Sequence, residues 1–319
     1  ITAVGEGVAI ITVTSNEVNT VTVTCNITVT VPPPPTIGVG ADTHTAKEIP
    51  YTWDELSRIA KVISDNYGTE AEQINNDTEE VAVSIDGKSD TLGIGDWTTV
   101  EIDGVDYQVR IIGFNHDELA TSRVNEDGTT TTIAPQYGNG TTNTYAGISF
   151  EFAECITITT MNNSNTNSNG WGASQLRSTL NSTTYDNLEN KEYIKEVNKQ
   201  YIATYNDANS VTISQDKLWL LSCSEVWNNG KNGQQYGLTV AKEGEQYKYY
   251  ENINPDSSSV CSTIIKKYNS ITNQCWWLRS PYYGDGKHYC AVRNGFCDYF
   301  NAYMSGTNYH QGVSMGFSI

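Results

Sequence analysis

Long apolar runs are missing from this sequence. No stretch approaches the roughly 18 consecutive apolar residues that a membrane-crossing helix needs, so no membrane span is expected. Positive charge is scarce: Lys and Arg number 19 against 37 Asp and Glu, a formal net charge of −18. That balance lacks the basic footprint that phosphate-backbone binding requires, and no nucleic-acid partner is expected. The 7 cysteines never form a C-x-x-C pair, which gives no zinc knuckle, and their odd number leaves one thiol over in any complete disulfide framework. Cys25, Cys155 and Cys223 read as isolated buried thiols, because free Cys behaves as a small hydrophobe. Also missing are a P-loop, a dinucleotide fingerprint, an H-E-x-x-H helix and an acidic calcium loop. The expectation is a non-enzyme with no cofactor and no metal.

What is present points to a mostly β protein with a few helices: Thr, Val, Ile and Tyr alternate between Gly and Asn turns. The chain opens on Ile1, which predicts a fragment or mature portion of a longer protein. Residues 1–31 alternate with period two, Val8 to Thr14 and Val21 to Val31 around a turn at Ser15-Asn16-Glu17, and predict a hairpin of half-buried strands. Two strands make no core, so the hairpin reads as the end of a β-sandwich. Pro32-Pro33-Pro34-Pro35 cannot join a sheet and marks a boundary, with residues 32–50 as linker and lead-in. The main domain is 51–319.

Within it, Thr52 to Ile63 predicts an amphipathic helix with Thr52 as N-cap, Glu55 at the capping-box position and Trp53, Leu56, Ile59, Ala60 and Ile63 inward. Strands are predicted over Val81–Ile85, Thr98–Ile102 and Tyr107–Phe114. His116-Asp117 reads as a turn whose polar side chains cap the backbone. Gly170 to Asn181 predicts a helix with Trp171, Leu176 and Leu180 inward and Asn181 as its end. A second helix is predicted over Asn190–Val197, a buried strand and turn over Asp216–Trp227, a polar insertion over Gly230–Pro255, and a short helix over Ser262–Asn269.

The last fifth has a different character. Two rigid blocks, Cys275 to Pro281 and Gly312 to Ile319, enclose a segment dense in Tyr, Asp, Asn, Gly, His and Phe, the composition of adaptable contact surfaces. Randomising the first two bases of an AAC codon yields every residue type found between Tyr282 and Tyr303 except Lys287. The segment reads as a deliberately diversified binding surface. Its candidate contact residues are Tyr282, Tyr283, Asp285, His288, Tyr289, Arg293, Asn294, Phe296, Asp298, Tyr299, Phe300, Asn301 and Tyr303. The anchors beneath are Trp171, Arg177, Trp276, Trp277, Arg279 and Phe317, with Arg279 fixing loops through backbone carbonyls or a carboxylate.

The hairpin's G-x-A-x-I-T-V-T and T-V-T-C-x-I-T-V-T-V pattern resembles the C-terminal part of bacterial immunoglobulin-like domains, group 2, which serve as spacers in adhesins and phage virion proteins. From about Trp53 onward, Gly95-Asp96, Ile112 to Asp117, Gly170-Trp171 through Arg177, Lys217 to Ser222, Trp277-Leu278-Arg279-Ser280-Pro281 and Gly312-Val313 to Ile319 together resemble uncharacterised domains of gut Firmicutes and their phages. These are similar in turn to the C-type-lectin-like fold shared by formylglycine-generating enzymes and by the variable proteins of diversity-generating retroelements. The resemblance implies an α+β, C-type-lectin-like domain with a β-rich core and a variable region at about 276–319, preceded by part of an immunoglobulin-like β-sandwich. The arginine that closes the variable-protein frame is replaced by Ser318. Calcium-dependent sugar binding would need Glu-Pro-Asn or Gln-Pro-Asp followed by Trp-Asn-Asp, and neither occurs. The enzyme branch would imply copper(I) on Cys290 and Cys297, but their spacing differs from that family's pair. What the likeness implies is a receptor-binding display domain on a phage tail or virion, or a bacterial surface adhesin. Its partners would be a host-surface protein or glycan and other virion or surface subunits, in a homo-oligomer. A virion decoration protein whose head only packs against neighbours is the alternative.

Overall fold

A computed structural model describes residues 7–14, 22–29, 32–67, 74–125, 128–138, 143–207, 209–227, 243–270, 272–303 and 310–319. The fold is β-rich with a few helices. Gly7–Thr14 pairs antiparallel with Thr22–Val29, while the turn between them lies outside the described residues. Ile10 and Val23 are each 67% exposed and Ile27 is half-buried, since two strands supply no second layer to cover them. Cys25, expected to be buried, is exposed. The lead-in, in contrast, belongs to the folded body. Thr36–Val39 edges a three-stranded sheet with Glu80–Ile85 and Lys88–Gly93, and Glu48 bridges to Trp97.

The helix Trp53–Asp65 begins where its sequence signals place it. Thr52 accepts the Glu55 amide, and the Glu55 carboxylate returns to the Thr52 amide. Its Leu56, Ile59, Ala60 and Ile63 are buried. Beside it stands the first five-stranded sheet, in spatial order Trp219–Leu220, Met315–Ser318, Ile148–Phe152, Val105–Phe114 and Trp97–Ile102, all antiparallel. Phe150 and Phe317 stack at 5.4 Å between ring centroids with Trp53 against them. Gly316 runs directly beneath Trp219, where a Cβ would sit 2.8 Å from the indole nitrogen.

The second sheet orders Thr157–Thr159, Gln311–Val313, Trp276–Pro281, His288–Arg293 and Phe296–Asn301. Every residue of Trp276–Pro281 is buried. The chain therefore passes from one sheet to the other through Ser314, which donates to the Phe152 carbonyl at 2.8 Å.

Between the sheets several expectations change. Residues 190–197 form only the short 3-10 turn Lys191–Tyr193, and Val197–Ile202 is a strand paired with Val211–Asp216. Asn181 does not end its helix, which continues as a π turn over Leu180–Thr184; its side chain instead binds the backbone of Lys217 and Leu218. After Trp219–Leu220 comes a helical turn, Cys223–Val226. The end of the expected polar insertion is a helix, Lys248–Ile253, with Tyr247 and Tyr250 fully buried; residues 228–242 lie outside the described set. Ser262–Ile264 is a single 3-10 turn, followed by the strand Lys266–Tyr268.

Candidate functional site

The segment Tyr282–Tyr303 is a turn followed by a hairpin whose outer strand, Phe296–Asn301, edges the second sheet. Asn294 and Gly295 make the reversal, both with positive φ (50° and 83°), the conformation for which Asn-Gly is the strongest short signal. In the resulting register His288 faces Asn301, Cys290 faces Tyr299 and Val292 faces Cys297; on the other side Tyr289 faces Phe300, Ala291 faces Asp298 and Arg293 faces Phe296. The candidate contact residues are thus divided between two faces.

On the first face the Tyr282 and Tyr299 rings stack at 3.9 Å with 9° between planes, and His288 stands edge-on to both. The Asp285 carboxylate binds His288 Nδ1 at 2.7 Å, and hydrogen bonding to His288 helps hold that carboxyl below its ordinary range against the raising effect of burial. Tyr283, Lys287 and Tyr303 are exposed around this patch. On the other face Arg293 pairs with Asp298 at 3.1 Å, Phe296 is half-buried, and Phe300 meets Trp277 edge-on at 6.3 Å. Asn294 is exposed at the tip, and Asn301 accepts from Asn165 at 3.0 Å. Tyr289 is a correction. Its strand lies inside the sheet and is covered on both faces, with Tyr289, Cys290, Ala291 and Val292 all buried, so its ring cannot meet a ligand.

Beneath the hairpin the Arg279 guanidinium is wholly buried and uses all five of its donors. Nε reaches the Gln200 carbonyl (2.9 Å), Nη1 the Leu220 carbonyl (2.7 Å) and Glu225 Oε2 (2.5 Å), and Nη2 Glu225 Oε1 (2.8 Å) and the Glu243 carbonyl (2.6 Å). Glu225 is also the capping-box residue for Ser222. Lys199, likewise buried, binds Glu225 and Asp117, each at 2.7 Å, and the Tyr247 hydroxyl at 2.9 Å. Burial alone would raise both carboxyls. The Lys199 ammonium and His116 hold Asp117 well below the usual range, and Arg279 with Lys199 lowers Glu225. Glu243 behaves oppositely: burial outweighs Arg279 and Ser280 and pushes it up to about 8. At neutral pH the network therefore holds two cations against two anions.

Asp117 corrects the expected backbone-capping turn. Its partners are side chains: Lys199, Tyr247, Ser149 and Ser318. Asn115 does serve the backbone, donating to the carbonyls of Ile63 and Ile74. Trp171 and Arg177 converge on a third buried carboxylate, Asp216, at 2.8 and 2.6 Å.

The structure also gathers three thiols. The Sγ atoms of Cys223, Cys290 and Cys297 all lie within 4.8 Å of one another, and all three residues are buried. Cys223 is therefore not isolated. Burial would raise its thiol, but hydrogen bonds from Cys290, Cys297 and Ser280, with the Arg279 charge, hold it well below its ordinary value. Cys290 and Cys297 are pushed up, Cys290 chiefly by its bond to Cys223 and Cys297 chiefly by burial.

Residues 148–311 match the family model of a domain of unknown function, DUF6273. The chain belongs to the DUF6273 family. No curated protein and no solved structure matches it. The DUF6273 segment contains Lys199, Asp216, Glu225, Arg279, the three clustered cysteines and the whole hairpin. It omits Asp117 and the strands Trp97–Ile102, Val105–Phe114 and Met315–Ser318, without which the first sheet is incomplete. In this DUF6273 protein the folded body is accordingly larger than the matched segment. Sequence reasoning missed the Asp117–Lys199–Glu225 charges and the cysteine cluster. Their members are separated by tens of residues, and no local spacing signals either set.

Proposed function

We propose that the head is a C-type-lectin-like ligand-binding display domain whose recognition surface is the outer part of Tyr282–Tyr303. On this reading it acts in a phage virion protein or bacterial surface adhesin that attaches to a host-surface protein or glycan. The observation that carries the proposal is a division of labour within one hairpin. Tyr282, Tyr283, Asp285, Lys287, His288, Arg293, Asn294, Tyr299 and Tyr303 reach solvent, wholly or in part, while Tyr289, Cys290, Ala291, Cys297 and Ala302 are buried against a strand with no exposed residue. Such a frame lets the outer side chains change without disturbing the backbone that carries them. Rigid aromatic anchors beside Asp, Arg and Asn supply contact area at low entropic cost.

Sequencing the 3′ end of the gene across one natural population tests the reading. Substitutions are expected at the exposed positions of Tyr282–Tyr303, at sites of adenine in a template copy, with Tyr289, Ala291, Gly295 and Ala302 constant. A segment as invariant as Trp276–Pro281 would replace diversified binding with a fixed contact. Tyr283→Ala and Tyr303→Ala, at exposed positions, should then abolish adhesion to host cells while leaving the melting temperature unchanged.

A further inference from the structure

The three clustered cysteines come from two separately fixed elements. Cys223 opens the helical turn Cys223–Val226, which is held by the Ser222–Glu225 capping box, and its amide donates to Ser280 Oγ at 2.9 Å. Cys290 and Cys297 sit on adjacent strands of the hairpin, diagonal to one another on one face, in a register set by the two-residue Asn294-Gly295 turn. Gly295 is pressed onto the Cys261 backbone, so this turn has little freedom to shift. The sulfurs lie in an apolar cluster with Leu221, Val226, Trp227, Leu278 and Val292.

The separations discriminate between uses. Cys223 Sγ and Cys297 Sγ are 3.8 Å apart, whereas a disulfide brings its sulfurs to about 2.05 Å. A metal bound at about 2.3 Å to each thiolate spaces its sulfurs by about 3.8 Å in a tetrahedral site and about 4.0 Å in a trigonal one. The observed upper limit of 4.8 Å needs only a modest inward movement of the third sulfur. Three thiols also cannot be satisfied by one disulfide, but they can all ligate one ion.

We infer that Cys223, Cys290 and Cys297 form a trithiolate site for a single thiophilic metal ion, Zn(II) or Cu(I), that ties the recognition hairpin to the helical turn beneath it. Among the described residues no His, Asp or Glu joins the group as a fourth ligand. Cu(I) fits the three buried sulfurs alone, whereas Zn(II) would need a fourth donor that no described His, Asp or Glu supplies. Binding is not a redox step. Each thiol still protonated releases its hydrogen to solvent as its sulfur–metal bond forms, and no electron changes hands. Because Cys290 lies directly opposite Tyr299, the ion would stiffen the strand pair that presents the Tyr282–Tyr299 stack. The inference does not depend on what the hairpin binds.

The test is metal content and spectroscopy on the full chain, purified under reducing conditions and offered Zn(II), Cu(I) or Co(II) separately. One equivalent of Zn(II) or Cu(I) should be retained through gel filtration, the better-retained ion identifying the natural occupant, and Co(II) should give an intense thiolate-to-metal charge-transfer band. Cys223→Ser, Cys290→Ser and Cys297→Ser should each reduce retention to near zero, while Cys155→Ser and Cys275→Ser keep one equivalent. The Co(II) band on the unmutated chain keeps the test decisive should a variant fail to fold. Absence of that band with seven titratable thiols, retention undiminished in Cys223→Ser, or a mass two hydrogens lighter that maps to a Cys223–Cys297 disulfide would each overturn the site.

Discussion

Replacing Arg279 by Met tests what the buried charge network contributes to the stability of the folded body. Arg279 and Lys199 face Asp117 and Glu225, and Glu243, pushed up to about 8, contributes no charge at neutral pH. Removing Arg279 leaves one buried carboxylate in excess and strips the carbonyls of Gln200, Leu220 and Glu243 of a donor. Breaking one partner of a buried pair costs about 3–5 kcal/mol, a large share of the roughly 5–15 kcal/mol that holds a typical domain together. Arg279→Lys keeps the charge but offers three donors to five acceptors, so about 2 kcal/mol is expected from the acceptors left unpaired. Urea unfolding followed by tryptophan fluorescence suits the question, since Trp219, on whose ring Lys199 sits, is fully buried, as are Trp276 and Trp277. Both variants should lower the midpoint at constant slope, Met more than Lys. A midpoint unchanged within about 0.5 kcal/mol for Arg279→Met would refute the reasoning. A double-mutant cycle with Glu225→Gln should show strong coupling, because the two residues share two hydrogen bonds.

Other outcomes follow from single residues. Glu243 has its folded pKa raised to about 8, so the unfolded chain loses this proton first and stability should fall between about pH 4.5 and 8, by on the order of 5 kcal/mol in full; Glu243→Gln should flatten that dependence. His44 is clasped by Asp96 and Glu80, each at 2.6 Å, and although burial lowers its pKa the two carboxylates raise it overall. Its stabilisation should be complete below pH 6.5 and be lost as pH rises through the raised value, so His44→Gln should narrow its melting-temperature deficit in alkaline buffer. Gly295→Ala meets both a positive φ and the Cys261 carbonyl at 2.0 Å, whereas Gly104→Ala meets a positive φ with nothing within 4 Å. Calorimetry should show a cost of about 1 kcal/mol for Gly104→Ala and several-fold more for Gly295→Ala.

Local signals in the sequence were reliable where local physics decides. Thr52 and Glu55 announce a capping box, and strands expected over Val81–Ile85, Thr98–Ile102 and Tyr107–Phe114 are found to within two residues. Where the partner is distant the signals failed. The charged stretch before Val197 looks helical on an exposed surface, yet Glu196 is clamped by Arg123 and Lys199 is drawn into the core by Asp117 and Glu225. Pairing with Val211–Asp216 then overrides any helical preference. Tyr289 was misplaced because composition identifies a contact-rich segment without saying which of its strands lies inside the sheet, covered on both faces. The lone Cys223 gave no hint of Cys290 and Cys297, which only the hairpin's register brings to it.

The position of Met315–Ser318 has a consequence for how the protein is made. This strand is interior to the first sheet, and Gln311–Val313 just before it is interior to the second. Until Gln311–Ser318 has been made, Thr157–Thr159 and Trp219–Leu220 lack the strands they pair with and neither sheet is complete, and these long-range pairings are of the slow-forming kind. A nonsense codon or frameshift anywhere in the hairpin would remove an interior strand from both sheets at once, so a truncated product would expose two incomplete sheets to proteolysis and aggregation.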